Sequence, residues 1–115
     1  MKITVGLIGL NDVQAKIRSL PAKAKTELDG VVEKRTLLMV NESRERAPKL
    51  SGKLANSIDI IPSETRPMTR GYGTNVEYAR RQEFEHKTHK GYMRKTIAKH
   101  RPLFFEDVRS YLSKW

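Results

Sequence analysis

The stretch between Pro21 and Pro48 constrains the fold of this chain more than any other, because it holds no proline and its apolar residues follow the period of a helix. Pro21 suits the first position of a helix, whereas Pro48 cannot continue one. The apolar residues of the stripe, mostly three or four positions apart, are Ala24, Leu28, Val31, Val32, Leu38 and Met39. The pattern predicts a helix over residues 21–46, with Leu37 and Val40 widening its apolar stripe.

The predicted helix is long for a chain of 115 residues. At 1.5 Å per residue it spans about 35–40 Å, which is more than one small sheet covers. We therefore expect part of the helix to meet another subunit. Gly30 lies in its interior, where a glycine costs about 1 kcal/mol relative to alanine unless close packing requires it.

The chain changes from helix to sheet at the corner that begins with Ala47-Pro48. Ser51-Gly52 permits a tight turn. Beyond that turn, the β-branched residues and a new spacing of apolar positions predict a strand over Leu54–Ile61, which Pro62 ends. This corner is expected to place the sheet on the long helix.

The rest of the chain predicts a small sheet and further helices. Near the start, Ile3, Val5 and Leu7 alternate with polar residues and glycine, as in a half-buried strand. The other predicted elements are a short helix over 12–19, a loop or hairpin tip over Ser63–Pro67, a returning strand over Met68–Tyr72, a short helix that begins near Thr74 or Asn75, one or two helical turns over 92–100, and a terminal helix opened by Pro102. We predict an α+β fold, in which a small, mostly antiparallel sheet packs against the long helix of the N-terminal half and a C-terminal helix follows.

Length and composition indicate the class of the protein. A chain of 115 residues predicts a single domain, residues 1–115. Only 37% of the residues are apolar, and such a lean core fits either a subunit completed by its neighbours or a small monomer. The sequence has no cysteine, which excludes disulfides and thiolate metal sites. Because its apolar runs are short and its start lacks the features of a signal peptide, we expect a protein made in the cytoplasm, with no membrane partner.

The net charge of +10 is concentrated towards the C-terminus. Residues 1–85 contribute +4 and residues 86–115 contribute +6. Such an excess favours contact with phosphates or with an acidic protein face, and it does not choose between them. The basic residues that we expect to face DNA or a partner are Lys87, Lys90, Arg94, Lys95, Lys99 and Arg101. No DNA-reading motif accompanies them, so the sequence supports only non-specific attraction to phosphate.

One run of residues is a candidate metal site. Two histidines three positions apart, together with carboxylates, could hold zinc if a helix placed them on one face. The run consists of Glu83, Glu85, His86 and His89, with His100 further along the chain. Lys87, Lys90 and Gly91 favour a solvated loop instead, so we expect no metal.

A second candidate chemistry is metal-independent cleavage of RNA, as in small basic toxins of toxin–antitoxin pairs. Tyr92, Arg94, His100 and Arg101 would supply a base, an acid and phosphate clamps. No spacing requires such a site, and a basic surface with a buried tyrosine explains the same residues. The sequence also contains neither a phosphate-binding loop nor a nucleophile elbow. We expect no enzyme activity and no cofactor, and the toxin stands as the alternative.

The order of several short motifs resembles the tail-completion, or head–tail joining, proteins of long-tailed bacteriophages and prophages, a family of minor tail and neck proteins. Those proteins show a long helix, Ala-Pro, Thr/Ser-Gly-x-Leu and a Ser-Ile strand, then Tyr-Ala, Glu-Phe-Gly and a C-terminal helix. The matching residues here are Ala47, Pro48, Ser51, Gly52, Leu54, Ser57, Ile58, Tyr78, Ala79, Glu83 and Phe84. The resemblance spans residues 10–112. The chain departs from it at Glu85, where the family has glycine, and over His86–Tyr92, which replaces a proline-rich approach to the last helix.

The resemblance implies a structural role in the virion, without catalysis. It implies a ring, hexameric in the family, that sits between the capsid connector and the tail tube. The implied partners are further copies of the chain, the tail-terminator or tail-tube and head-closure proteins, and double-stranded DNA passing through the ring. Tyr78, Ala79 and Phe84 are then expected to pack in the core. A ring also needs a heterologous interface, for which the long helix offers one face and a sheet edge another.

Overall fold

The computed structural model describes residues 1–6, 11–48 and 52–115. The chain forms an α+β fold, as predicted, in which a three-stranded antiparallel sheet packs on a long helix and a C-terminal helix packs beside that helix. The elements are β1 (Lys2–Val5), α1 (Asn11–Arg18), α2 (Ala22–Arg46), α3 (Lys53–Ser57), β2 (Asp59–Arg66), β3 (Thr69–Gly73), α4 (Ala79–Glu85) and α5 (Tyr92–Leu112). Leu7 and Ser51, which entered the predictions above, lie outside the described residues.

The sheet has the order β1-β3-β2, so the last strand in sequence lies at its centre. Tyr72 of β3 lies opposite Ile3 on one side and Ile60 on the other, in antiparallel register. Residues directly opposite one another share a face of the sheet. On this face Tyr72 is fully buried, and its hydroxyl lies 3.3 Å from Ser43 Oγ of α2. The predicted first strand and returning strand are thereby confirmed.

Arg70 fastens the central strand to α2. Its buried guanidinium donates to both carboxylate oxygens of Asp29, at 3.0 and 2.8 Å. The same carboxylate accepts the N–H of Met68 at 2.6 Å, which holds that turn residue at its positive φ of 60°. The hydrogen bond from Arg70 keeps the pKa of Asp29 below its usual range, even though burial opposes this shift. One ion pair therefore ties both a strand and a hairpin turn to the long helix.

The long helix is confirmed, with Pro21 standing immediately before its first residue. Its buried residues are Ala24, Leu28, Val32, Thr36, Met39, Val40 and Ser43. The prediction that Leu38 belongs to the apolar stripe is wrong, because 42% of this residue is exposed. Two hydroxyl residues occupy the stripe in its place, and Thr36 satisfies its hydroxyl by donating to Val32 O at 2.8 Å. A search for apolar residues at helical spacing does not find buried hydroxyl residues such as these.

The predicted strand over Leu54–Ile61 is wrong in its first half, which forms the short helix α3. Gly52 has a positive φ of 78°, and its carbonyl accepts the first helical bond from Asn56 N at 2.9 Å. The strand then runs through Pro62 and most of the predicted loop, with its pairing interrupted between Ile61 and Arg66. Because β2 is an edge strand, a proline costs it no ladder bond on the open side.

The prediction that Pro102 opens the last helix is also wrong, since α5 begins ten residues earlier and carries Pro102 in its interior. A proline inside a helix leaves one carbonyl, here that of Ala98, without its helical donor. Both residues are exposed, so water can satisfy that carbonyl.

The short helix expected to begin near Thr74 or Asn75 begins instead at Ala79. Thr74 Oγ1 does accept the N–H of Val76 at 3.1 Å, as a capping residue would. It also lies 2.5 Å from Ser57 Oγ, so the hydroxyl joins this segment to α3. A local capping signal is present, but the chain first makes a turn over 77–78.

We predict that Leu54→Asp destabilises the protein by about 3–5 kcal/mol, because Leu54 is buried at the corner and an aspartate there has no partner. Chemical denaturation with circular dichroism measures the change. Asn56→Asp, at an exposed position of the same short helix, should shift the midpoint little. Equal midpoints for the two variants would contradict the burial of this corner.

Candidate functional site

The first motif of the resemblance, Ala47 to Ile58, forms the junction between α2 and the sheet. Ala47, Pro48, Leu54 and Ile58 are buried. Ser57 donates to Leu54 O at 2.7 Å, and Arg44 Nε of α2 donates to Ile58 O at 2.6 Å. These contacts fix the direction in which the chain leaves the helix. The described residues of this motif therefore act on the architecture and present no reactive group.

The second motif joins α4 to the start of α5. Ala79 is buried and its carbonyl accepts the hydroxyl of buried Tyr92 at 2.8 Å. Tyr78 is half-buried and packs against the core. The expectation that Phe84 lies in the core is wrong, because 48% of it is exposed. Its ring instead lies beneath the Arg94 guanidinium, 4.7 Å from ring centroid to Cζ.

Glu83 is a fully buried carboxylate that caps α5. Its two oxygens accept the backbone N–H groups of Met93 at 2.9 Å and Arg94 at 3.1 Å, and the Arg94 Nε lies 3.1 Å away. Its own carbonyl accepts the N–H of Gly91 at 2.6 Å. A negative charge at a helix N-terminus is stabilised both by these donors and by the helix dipole. The hydrogen bonds of Glu83 therefore serve to stabilise the fold.

We predict that Glu83→Gln lowers the free energy of unfolding by about 1–3 kcal/mol, because an amide keeps the shape but loses the charge that pairs with the helix terminus and Arg94. Urea denaturation measures it. Glu85→Gln is the matched control, since Glu85 is exposed and pairs with Arg81 on the surface. We expect a change within about 0.5 kcal/mol. Similar losses in both variants would rule out the buried cap.

The histidine run forms a turn between α4 and α5. His86 Nδ1 accepts the N–H groups of Thr88 and His89, at 3.3 and 2.9 Å. His89 Nδ1 lies 3.0 Å from Arg46 O. Within the described part of the chain, no three His, Asp or Glu side chains come together in a way that could hold a metal ion.

The residues of the RNA-cleavage hypothesis are not brought into one open site. Tyr92 is buried, and burial raises the pKa of its hydroxyl, so the hydroxyl stays protonated at neutral pH and cannot act as a base. His100 is also buried, eight residues further along α5, a rise of about 12 Å. Arg101 is exposed and stacks over Phe105, 5.7 Å from the ring centroid. No specific observation favours the toxin.

His100 belongs to a polar network between α2 and α5. Arg35 Nη1 lies 3.1 Å from His100 Nδ1, and the guanidinium also pairs with Asp107. Because a guanidinium only donates, Nδ1 must accept, which leaves the ring proton on Nε2, 3.3 Å from a Glu42 oxygen. Glu42 also accepts from Lys99 at 2.6 Å and from Arg46 at 3.1 Å.

Burial by itself would raise the pKa of Glu42, but hydrogen bonds from Lys99, His100 and Arg46 outweigh it and lower the pKa to about 2. A carboxyl whose pKa is lower in the folded protein stabilises it above the unfolded value, near 4.3, and loses this contribution as the pH falls towards 2.

We predict that Glu42→Gln is less stable than the unmodified protein by about 1–2 kcal/mol at pH 7. The loss is modest because solvent screens the pairs of Glu42 with the exposed Lys99 and the half-buried Arg46. The difference should shrink between about pH 4.5 and pH 2. Thermal denaturation of both proteins across this range measures it. A difference that stays constant with pH would show that the charge of Glu42 contributes nothing.

The structure divides the predicted basic residues into two groups. Arg94 and Lys99 are tied to the carboxylates of Glu83 and Glu42. The others are exposed and pair with no carboxylate among the described residues: Lys87, Lys90, Lys95 and Arg101. Sequence reasoning missed Arg80, which is exposed and unpaired in the same sense and belongs to the neighbouring α4. The sequence gives one indication of this residue, its position six residues before the basic segment 86–115.

The outward face of α2 carries two leucines. Leu37 and Leu38 are 44% and 42% exposed. Gly30, Lys34 and Asn41 lie on the same side at helical spacing and are exposed as well. A Cβ at Gly30 would meet no atom within 4 Å, so no packing inside the subunit accounts for this glycine.

A depression of mixed polarity lies beside α4. The exposed Met1 and Phe84 line it together with Val76 and Ala79, and its polar lining residues are Lys2, Asn75, Glu77 and Arg80. No residue of α2 lines it. The exposed leucines of α2 and the exposed Met1 and Phe84 therefore lie on different elements.

No helix in the described ranges is long and apolar enough to cross a membrane.

No protein-family model matches the sequence, and neither a curated protein nor a solved structure shows significant similarity to the chain.

Proposed function

We propose that the protein is a structural subunit of the virion of a tailed bacteriophage or prophage, which completes the tail or joins it to the head as part of a ring. It acts through contacts between proteins and not through catalysis. The order of the sequence motifs supports the proposal, and the exposed apolar face of α2 carries it.

The face of α2 that points away from the core suits contact with another copy. Covering the exposed parts of Leu37 and Leu38 would contribute about 1 kcal/mol each. Gly30 on the same face would let a neighbour's backbone approach closely, which gives a reason for a residue that otherwise costs helix stability. Burial of this face against another copy would thus account for the two exposed leucines and for the glycine, none of which has a role in the isolated subunit.

The two surfaces, one with Leu37 and Leu38 and the other with Met1 and Phe84, suit a ring because they differ. In a ring, one patch of each subunit meets a different patch of the next, and the rotation closes. The face around Leu37 and Leu38 would meet the depression around Met1 and Phe84 on a neighbouring copy. The edge of β2 is a poorer candidate, because Pro62 and the interrupted pairing are features that protect edge strands from association.

The shape of the subunit also supports assembly. It measures 47 × 24 × 18 Å, with a radius of gyration of 15.4 Å, where a compact chain of this length has about 13 Å. Its accessible surface is 7176 Å², against about 6,400 Å² for a typical monomer of this mass. A thin subunit of this kind gains more from covering its faces than a compact monomer would.

We predict that the unmodified protein forms a closed oligomer, alone or with purified tail-tube or connector proteins, and that Leu37→Gln/Leu38→Gln and Phe84→Gln each prevent it. Light scattering across concentration measures the mass. The control is Ala15→Gln/Ala22→Gln, at exposed positions of α1 and α2, which should assemble normally.

Mixing the two defective variants tests whether the interface is heterologous. Each retains the patch that the other lacks, so an equimolar mixture should form pairs and nothing larger. Self-association of Phe84→Gln alone would point to a symmetric contact between α2 faces instead. A strict monomer that ignores the tail and connector proteins and cleaves RNA would overturn the proposal.

A further inference from the structure

We propose that a cavity between the sheet and α5 binds a small amphiphilic carboxylate, a molecule that joins an apolar body to one carboxylate headgroup. The cavity has a volume of about 350 Å³, which lies within the range of small-molecule sites in proteins. Residues of five elements line it, namely β1, α2, β2, β3 and α5. We call it the amphiphile cavity.

The walls of the amphiphile cavity are mainly apolar. Six apolar side chains line it, the first three buried and the last three half-buried: Val5, Met39, Phe104, Ile3, Ile97 and Phe105. An apolar ligand body placed here would leave water and cover the parts of these side chains that the fold leaves exposed, which favours binding.

The charged residues of the amphiphile cavity are two arginines. Arg66 and Arg101 both line it and are exposed, and no aspartate or glutamate is among the described residues that line it. Neither guanidinium pairs with a carboxylate within the described ranges, and Glu64, which lies near Arg66 in the chain, pairs with Lys2 at 2.7 Å. Two positive charges without an acidic partner beside an apolar wall favour a ligand that is anionic as well as apolar.

Both arginines are positioned by contacts within the fold. The Arg66 carbonyl accepts Arg70 Nη1 at 2.9 Å, which joins the backbone of Arg66 to the ion pair of Arg70 with Asp29. The Arg101 guanidinium lies over the ring of Phe105, with its Cζ 5.7 Å from the ring centroid. Because a guanidinium matches the fork geometry of a carboxylate, the arginines would bind the headgroup while the apolar body enters the cavity.

The shape and polarity of the cavity favour a small molecule over a macromolecule. The phosphates of a nucleic acid would engage the arginines but leave the apolar walls uncovered. An acidic protein segment shares the chemistry of the proposed ligand, since it can carry an apolar side chain beside a carboxylate. However, small-molecule sites bury most of their ligand in one cavity, whereas stable protein contacts spread over about 800 Å² of each partner.

The amphiphile cavity is separate from the surfaces of the proposed ring. Leu37, Leu38, Met1 and Phe84 do not line it. The inference therefore goes beyond the proposed function and does not depend on it. Leu37→Gln/Leu38→Gln should bind the ligand normally, which tells failure of ring assembly apart from failure of this inference.

The test is isothermal titration calorimetry of the full chain with decanoate, kept below the concentration at which decanoate forms micelles. We expect saturable binding of one decanoate per chain. Arg66→Gln/Arg101→Gln should weaken binding about 100-fold, because each charge-assisted contact contributes about tenfold. Ile97→Trp should abolish binding by filling the cavity. Decanol and decylamine, which lack the negative charge, should bind at least about tenfold more weakly than decanoate.

The matched control is Arg18→Gln/Arg80→Gln, which removes the same charge from exposed positions outside the cavity and should bind decanoate normally. Circular dichroism verifies that the variants fold. Four results would overturn the inference: no saturable binding, equal affinity for decanoate and decanol, equal losses in the two arginine variants, or tighter binding of an acetylated Glu-Phe-Glu peptide than of decanoate. The last would assign the cavity to an acidic segment of a protein.

Discussion

The ion pair between Arg70 and Asp29 is the contact on which the architecture depends. Among the described strands, β3 pairs with both others, and its residues that face α2 attach the centre of the sheet to that helix. Tyr72 supplies the apolar part of that attachment and Arg70 the directional part. A buried guanidinium has few ways to satisfy its donors, and the fork geometry of Asp29 fixes the position of the strand along the helix. An apolar residue at position 70 would pack but would not specify this register.

Buried or half-buried carboxylates, each paired with a basic residue, recur at three junctions of the fold. Asp29 joins helix to sheet, Glu42 joins α2 to α5, and Glu83 joins α4 to α5. These ion pairs supplement the small apolar core of the chain at the contacts between its helices and its sheet. The arrangement also engages one residue of the candidate metal site, Glu83, and one of the candidate catalytic residues, His100. Glu83 and His100 point inward and are bonded to structural partners.

The sequence predicted the elements that local rules determine and missed those that depend on distant partners. The long helix and the first strand have clear periods, and both were found. Pro62 and Pro102 were interpreted as breaks because a proline lacks a donor, yet each lies where that donor is not needed, at a sheet edge and on an exposed helix side. Leu38 was assigned to the core because periodicity does not reveal which face a partner covers. Arg70 had no signal, since a buried arginine is recognised only with Asp29, 41 residues away. All six predicted basic residues are exposed, but the sequence could not reveal that Arg94 and Lys99 pair with Glu83 and Glu42.

The cap at Glu83 has a consequence for the turn that follows it. Glu83 precedes this turn in the chain and is hydrogen-bonded to the residues that follow it. Its carbonyl accepts the N–H of Gly91, and its carboxylate accepts the N–H of Met93. Lys87 and Lys90 are therefore presented by a closed loop and not by a free segment. Closing a flexible loop costs conformational entropy, and in this protein that entropy is lost when the chain folds and not when a ligand binds. Any ligand that these lysines engage meets a preorganised surface, so less of its binding free energy is spent on ordering the chain.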